Sequence, residues 1–216
     1  KMPSWLDGRA DYSIAFSNGI VTLDDLISGR SNCLRSHSPA WFSPTVLPYE
    51  FQPEARCPIW MEMLIKNLES DSERGDVLQE FAGYCLLHST EFHAMLMLTG
   101  DGGNGKSCVL AGITGMLGAD NVSNLSLDEL AEKFKLPRIV GKLANICADM
   151  PDTSRTCEGT LKKLISGDPM EFEPKYQHSF SAVSTAKLIF STNTLPQFFD
   201  RSSGLWRRLI LMPFNR

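Results

Sequence analysis

At 216 residues, with 43% hydrophobic side chains, the chain is long enough for one sizeable core, alone or with an appendage. The net charge of −4 argues against a broad basic face for nucleic acid. Because residues 100–216 carry 14 Lys/Arg against 12 Asp/Glu, any polyanion contact is expected there.

No apolar run approaches the roughly 20 residues that span a bilayer, so no membrane partner is expected. Six cysteines without a C-x-x-C pair indicate reduced thiols in a cytoplasmic compartment, with Cys85, Cys108 and Cys147 as small core residues.

The first 90 residues are predicted to form an N-terminal region ahead of the main domain. Residues 1–56 are rich in turn signals such as Asn18-Gly19, and short strands are expected around residues 20–23. Residues 57–90 are expected to be helical, with one helix over 58–68 and another beginning at Asp71 or Ser72. The predicted boundary therefore lies at residue 90, and residues 91–216 form the core domain.

The segment 100–107 has the spacing G-x4-G-K-S of a phosphate-binding loop. Its glycines allow backbone N–H groups to surround an anion where a Cβ would clash. Lys106 could reach the β- and γ-phosphates, and the Ser107 hydroxyl could bind Mg²⁺. An apolar run, 94–98, precedes the loop, and an apolar helix start follows it, which is the order that the chemistry requires. The predicted nucleotide-binding residues are Gly100, Asp101, Gly102, Gly103, Asn104, Gly105, Lys106, Ser107 and Cys108.

Beyond the loop, predicted strands and helices alternate along the chain. This pattern predicts an α/β fold in which helices flank a parallel sheet and the ligand lies at the carboxyl ends of the strands. Strands are expected at 121–125, 143–149, 187–193 and 207–212, helices from a capping box at 126–129 and over 160–165, and a hairpin over 170–183.

Asp149 is the predicted carboxylate for the Mg²⁺ of a bound nucleotide. It ends a buried stretch downstream of the loop, and a phosphate-bound Mg²⁺ needs an acid close by. The alternative is a helix cap or a surface acid after a strand. The general base stays open, since the nearest other acids are Asp152 and Glu158.

Asn193 ends the next core strand at the same predicted sheet edge. Its amide could hydrogen-bond a γ-phosphate or the attacking water, as a polar sensor. The alternative is a turn residue ahead of Leu195-Pro196.

Two basic segments complete the set of candidate residues. Arg207 and Arg208 follow Trp206, and one of them could neutralise charge on the nucleotide of a neighbouring subunit, although paired arginines are more often solvated. On the predicted hairpin, Lys175 could meet a phosphate of single-stranded DNA, while Tyr176 or His178 could meet a sugar or base. The alternative for the hairpin is an ordinary solvated turn.

Taken together, these blocks resemble the superfamily 3 helicase domain of phage and plasmid primase-helicases and of the poxvirus primase-helicase, an AAA+ type ATPase. The resemblance covers nearly the whole chain, from Asn18-Gly19, Pro48-Tyr49, Ala55–Pro58 and Leu78-Gln79-Glu80 with Gly83-Tyr84 to Gly100–Ser107 and the blocks after it. The later blocks are much more specific than the phosphate-binding loop, and they are Leu161-Lys162-Lys163 with Ser166-Gly167-Asp168, Ala186–Asn193 with Leu195-Pro196, and Trp206-Arg207-Arg208.

The resemblance implies a hexameric ring that hydrolyses ATP between subunits and translocates on DNA. It implies that Lys106 and Ser107 hold phosphate and Mg²⁺, that Asp149 is the metal-side acid and that Asn193 is the sensor. Arg208, rather than Arg207, is the implied finger on the adjacent subunit, and Lys175 lies on the hairpin that faces the central channel. A primase domain, a polymerase or an initiator is the implied partner.

Two other classes of function fit the same loop. A small-molecule kinase would carry a basic lid and act as a monomer, whereas an ATP-gated assembly module would bind ATP and hydrolyse it poorly. Because the chain begins at Lys1 and stops after Phe214-Asn215-Arg216, we expect it to be part of a longer protein.

Overall fold

A computed structural model of the chain describes residues 12–30, 32–38, 43–148, 158–196, 198 and 203–215. The N-terminal region begins with an antiparallel hairpin of β1 (Ser13–Phe16) and β2 (Gly19–Thr22), followed by the short helix α1 (Leu23–Ile27). Asn18, in the tight turn between the strands, accepts a hydrogen bond of 2.9 Å from the Phe51 N–H, which ties the hairpin to the following segment. The expected strands near residue 20 are confirmed as this hairpin.

Two helices complete the N-terminal region. Helix α2 (Pro58–Asn67) begins with proline, which suits the first turn because no N–H partner is needed there. Helix α3 (Ser72–Cys85) is capped by Asp71, whose carboxylate accepts a 3.0 Å hydrogen bond from the Arg74 N–H. Both helices agree with the predicted bounds to within one residue.

Ten further strands and α-helices follow in the described part of the chain. They are β3 (Met95–Thr99), α4 (Lys106–Leu117), β4 (Val122–Ser123), β5 (Ala144–Cys147), α5 (Glu158–Ser166), β6 (Met170–Phe172), β7 (Phe180–Ala182), β8 (Lys187–Thr192), α6 (Ser203–Trp206) and β9 (Leu209–Pro213).

Five of these strands form one parallel sheet in the spatial order β4-β5-β8-β3-β9. The strand ahead of the glycine-rich loop, β3, therefore lies between β8 and β9. The loop that follows β3 is flanked by the carboxyl ends of these two strands. The predicted α/β fold with a parallel sheet flanked by helices is confirmed. Strands β6 and β7 pair as the predicted hairpin outside this sheet.

The core lies on both faces of the sheet. Successive side chains of β3 point to opposite faces, so Leu96 and Leu98 join one apolar cluster while Met95 and Met97 join the other. The first cluster also contains Phe16 and other side chains of the N-terminal region, which covers that face. The domain boundary at residue 90 stays a prediction. Within the described ranges, no helix has both the length and the apolar character needed to cross a bilayer.

One predicted helix is wrong. The capping box does form, because the Ser126 N–H donates to the Glu129 carboxylate (3.1 Å) and the Glu129 N–H donates to the Ser126 hydroxyl (3.3 Å). Only a 3-10 turn, Glu129–Ala131, follows it, and a second such turn spans Leu136–Ile139. The first turn ends because Glu132, its C-cap, has an extended backbone (φ −83°, ψ 112°), which breaks the helical path five residues before Pro137.

Candidate functional site

The loop between β3 and α4 has the backbone that its glycines predict. Gly100 has φ +141°, and a Cβ there would overlap the carbonyl oxygen of Phe214 and lie 2.5 Å from the Asn104 amide nitrogen. Gly105, with φ +92°, forms the N-cap of α4 in a left-handed conformation. Glycine is therefore required at both ends of the turn, and the N-terminus of α4 with its unpaired N–H groups opens onto the loop.

Lys106 is held inside the loop. Its Nζ donates to the carbonyl oxygens of Gly100 (2.5 Å) and Asp101 (2.8 Å) and to the Asn104 side chain (3.0 Å). Asn104 is itself buried and donates through Nδ2 to the Phe214 carbonyl at 2.7 Å. Since Phe214 follows β9, this hydrogen bond fastens the loop to the neighbouring strand, an anchoring role with no signal in the sequence.

A cavity of about 600 Å³ opens over the loop. Its lining brings together six loop residues, Gly102 through Ser107, and Asn193. Asn193 reaches the cavity because β8 lies beside β3 and both strands end at the same edge of the sheet. The predicted proximity of Asn193 and the phosphate-binding loop is therefore found in the fold. Its role as a sensor stays a prediction.

The cavity also contains residues that the sequence did not single out. Lys66 and Asn67, at the end of α2, line it together with Cys108. The Asn67 amide lies against Gly105 so closely that a Cβ at that glycine would overlap it. The expectation of a core role holds for buried Cys85 but is wrong for Cys108, which is exposed because it lies on the first turn of α4 facing the cavity. That position agrees with the other expectation for Cys108, which placed it beside the loop among the nucleotide-binding residues, and this binding role stays a prediction.

The proposed Mg²⁺ ligands are divided between the described and undescribed parts of the chain. Ser107 is exposed in the cavity at the start of α4, where its hydroxyl fits a metal bound to loop-held phosphates. Asp149 and Asp152 lie outside the described residues, and β5 ends two residues before Asp149. Among the described residues, no group of three or more His, Cys, Asp or Glu side chains could hold a metal ion. The assignment of Asp149 stays a prediction.

Arg207 and Arg208 lie at the opposite edge of the sheet from the loop. The Met95 N–H, at the start of β3, donates to the Arg208 carbonyl at 2.8 Å, whereas the phosphate-binding loop follows the other end of β3. Five strand residues separate the two ends by about 16 Å. Arg208 is half-buried and donates to the Gly204 carbonyl and, at 3.0 Å, to the Ser166 hydroxyl, while Arg207 is exposed. Neither arginine lines the cavity of its own chain.

The hairpin presents its predicted DNA-contacting residues at one tip. Lys175, Tyr176 and His178 are all exposed between β6 and β7, and Tyr176 is 92% exposed with φ +64°. The Lys175 Nζ lies 5.1 Å from the centre of the Tyr176 ring, a cation–π arrangement. A positive charge and an aromatic face are thus presented together, although DNA binding by these residues stays a prediction.

Comparison with known families covers the loop and most of the sheet. A family model described as "Family of unknown function (DUF5906)" matches residues 98–208, more than half of the chain. The chain belongs to this family. The DUF5906 match includes the phosphate-binding loop, Asn193, the hairpin and both arginines, whereas α2 with Lys66 and Asn67 precedes it.

Solved structures of the NrS-1 C-terminal region share the fold of this DUF5906 chain. An apo structure of the NrS-1 C-terminal region aligns over 82% of this chain and 42% of its own length, with 17% identity and a TM-score of 0.58. A second apo structure of that region aligns over 79% and 40%, again with 17% identity and a TM-score of 0.58. A JCV Helicase structure aligns over 65% and 40%, with 15% identity and a TM-score of 0.47. The chain thus spans about two fifths of the length of the NrS-1 region.

Proposed function

We propose that this chain is the ATP-hydrolysing motor of a superfamily 3 DNA helicase that serves the replication of a phage, plasmid or virus-like element. One observation carries the proposal: the cavity joins Lys106 and Asn193 at the carboxyl edge of the sheet, while Arg208 lies at the amino edge. A chain built this way has a nucleotide pocket and a cation that its own pocket cannot use. The two fit together when copies of the chain are arranged in a ring.

The pocket provides the groups that bind a triphosphate. Backbone N–H groups of the loop and of the start of α4 bind the phosphate oxygens. The ammonium group of Lys106 exchanges its carbonyl partners for the β- and γ-phosphates. Ser107 and Asp149 hold the Mg²⁺, which neutralises phosphate charge, and Asn193 orients the attacking water.

The proposed arginine finger acts between subunits. About 16 Å of strand separates Arg208 from the loop of its own chain, too far for direct contact with a bound phosphate. A neighbouring copy in a hexameric ring presents Arg208 or the more exposed Arg207 to that phosphate instead. This arrangement would make hydrolysis dependent on assembly, which distinguishes the motor from a monomeric small-molecule kinase.

The hairpin is the proposed DNA contact. Lys175 pairs with a backbone phosphate and Tyr176 stacks on a base, a combination that tolerates any sequence of single-stranded DNA. The single-stranded DNA passes through the central channel of the ring. The proposed location of the protein is the cytoplasm of a bacterial host or of a virus-infected cell. A primase domain, a polymerase or an initiator is the proposed further partner.

The test measures ATP hydrolysis by the chain with and without single-stranded DNA, and its mass with a non-hydrolysable ATP analogue. We expect hydrolysis to increase with DNA, assembly with the analogue, and loss of turnover in Lys106→Ala. Lys133→Ala, which removes an exposed lysine outside the cavity and outside the blocks that resemble helicases, is the matched control and should retain turnover. Insensitivity to DNA with phosphate transfer to a small acceptor would indicate a kinase. Equal slow hydrolysis in wild type and Lys106→Ala would indicate an assembly module.

A further inference from the structure

Helix α2 is fixed against α4 by two matching contacts. Trp60 lies on Gly112 and Asn67 lies on Gly105, and at each glycine a Cβ would overlap the α2 side chain. Trp60 and Asn67 are seven residues apart on α2, and Gly105 and Gly112 are seven residues apart on α4. Each helix therefore makes both contacts with one face, about two turns long. The two helices therefore run in opposite directions, and the end of α2 is placed beside the start of α4.

This packing brings a polar wall to the cavity. Lys66 and Asn67 occupy the last turn of α2 and line the cavity next to Gly105 and Cys108. Asn67 is half-buried, and within the described part of the chain its amide makes no side-chain hydrogen bond. The Asn67 amide therefore offers the cavity one hydrogen-bond donor group, Nδ2, and one acceptor, Oδ1. Packing against Gly105 holds both in place.

The chemistry of the other lining residues indicates what this amide can bind. The loop glycines, Lys106 and Ser107 suit the phosphates, and Asn193 reaches the same cavity from the end of β8. A nucleotide extends beyond its phosphates, and its base and ribose carry both donors and acceptors. An asparagine amide matches the adjacent amino group and ring nitrogen of adenine, and it can equally bind ribose hydroxyls.

From this arrangement we infer that Asn67 binds the nucleoside part of the nucleotide and that the end of α2 forms the nucleoside wall of the site. The inference rests on the proposed nucleotide binding. The N-terminal region is then part of the nucleotide site, since α2 belongs to it. Lys66, on the same turn, adds positive charge to this wall.

The experiment compares the affinities of ATP and inorganic tripolyphosphate, which shares the phosphates but has no nucleoside. Loss of a paired donor and acceptor in Asn67→Ala should weaken ATP binding about tenfold. Tripolyphosphate binding should stay within about twofold of wild type, since loop and lysine contacts are unchanged. Ile65→Ala, on the same turn but 56% exposed and outside the cavity lining, is the matched control and should alter neither affinity.

The outcomes separate this inference from the proposed function. An Asn67→Ala chain that binds ATP as wild type does, or that loses ATP and tripolyphosphate equally, overturns the role of Asn67. Wild type that binds neither compound overturns the nucleotide site itself. Repeating the comparison with GTP and dATP separates base from ribose. A loss that persists with dATP and disappears with GTP assigns the amide to the adenine base, a loss that persists with both assigns it to the ribose 3′-hydroxyl, and a loss absent only with dATP assigns it to the 2′-hydroxyl.

Discussion

The ring of Trp60 lies directly on Gly112, so that a Cβ at this glycine would overlap Cζ3 and come within 2.9 Å of Cε3. The contact joins the middle of α4 to the first turn of α2. Because an indole ring is rigid, it can relieve such an overlap only by turning as a whole out of this contact or by moving together with α2. The position of α2, and with it the cavity wall at Asn67, therefore depends on the absence of a side chain at residue 112.

Gly112→Ala is expected to destabilise the chain. Overpacking of this kind costs about 1–3 kcal/mol, which exceeds the gain of up to about 1 kcal/mol from alanine in a helix interior. The free energy of unfolding, measured with urea, should therefore fall by up to about 2 kcal/mol. Gly115→Ala is the matched control, because it lies on the same helix with nothing within 4 Å of the added Cβ, and it should stabilise slightly. Equal effects at both glycines would contradict the close packing of Trp60.

Action of Arg208 between subunits predicts recovery of activity in mixed rings. Lys106→Ala and Arg208→Ala chains should each be inactive in hydrolysis. When they are mixed, some interfaces combine an intact loop with an intact arginine, so partial ATP hydrolysis should return. Mixtures made with Arg207→Ala identify which arginine acts. Arg208→Ala also loses the hydrogen bond to Ser166, so its thermal unfolding is measured to show whether the variant is still folded. A mixture as inactive as its components argues against a contribution from the neighbouring chain.

The hairpin tip predicts a measurable change in salt dependence. Removing one phosphate contact in Lys175→Ala should reduce the slope of log affinity for single-stranded DNA against log salt by about 0.7. Tyr176→Ala should weaken binding by about 1–3 kcal/mol through loss of stacking and leave the slope unchanged. Arg56→Ala, which removes an exposed cation far from the hairpin in sequence, is the control. Unchanged affinity and slope in both hairpin variants would remove this tip from the DNA contact.

Lys187, at the start of β8, is a buried lysine. Its side chain is 2% exposed, its Nζ donates to the Leu87 carbonyl, and the Tyr84 ring centre lies 4.8 Å away. Burial lowers the pKa of Lys187 to about 8, and the interaction with Cys85 opposes that shift. In the unfolded chain the pKa of lysine is about 10.4. Above pH 8 the unfolded chain therefore holds a proton that the folded chain has released.

Stability should consequently increase with pH in this window. Because the unfolded state binds the extra proton, the free energy of unfolding rises by about 1 kcal/mol between pH 8 and 9 relative to Lys187→Met. Burial raises the pKa of Cys85 to about 12, so that thiol acts in the opposite direction from about pH 8 upward, where the unfolded thiol ionises. Lys187→Met keeps Cys85, and the difference between the two pH profiles therefore reports the contribution of Lys187. Urea titrations at several pH values give the profile, with Lys163→Met, an exposed lysine, as control. If the free energy of unfolding changes with pH in the same way in wild type and Lys187→Met, the lowered pKa of Lys187 is contradicted.

Local sequence patterns predicted helix starts and the loop correctly, because these features depend on interactions between residues close in sequence. The proline at the start of α2, Asp71 ahead of α3 and the glycines of the loop define their elements through steric and hydrogen-bonding effects within a few residues. The same reasoning was wrong after Ser126, where the capping box formed as expected but the backbone becomes extended at Glu132 after a single 3-10 turn.

The sequence by itself determined the strand, loop and helix that hold Lys106, together with the α/β class, because these follow from local steric preference and hydrophobic period. The sequence also predicted that Asn193 lies near the loop, but only the tertiary structure decided that Arg208 lies at the far edge of the sheet and that Asn67 forms a cavity wall. Strand order and helix packing depend on contacts between residues distant in sequence, such as Trp60 on Gly112. No local pattern specifies those contacts, since they depend on how complete elements bury their apolar faces against each other.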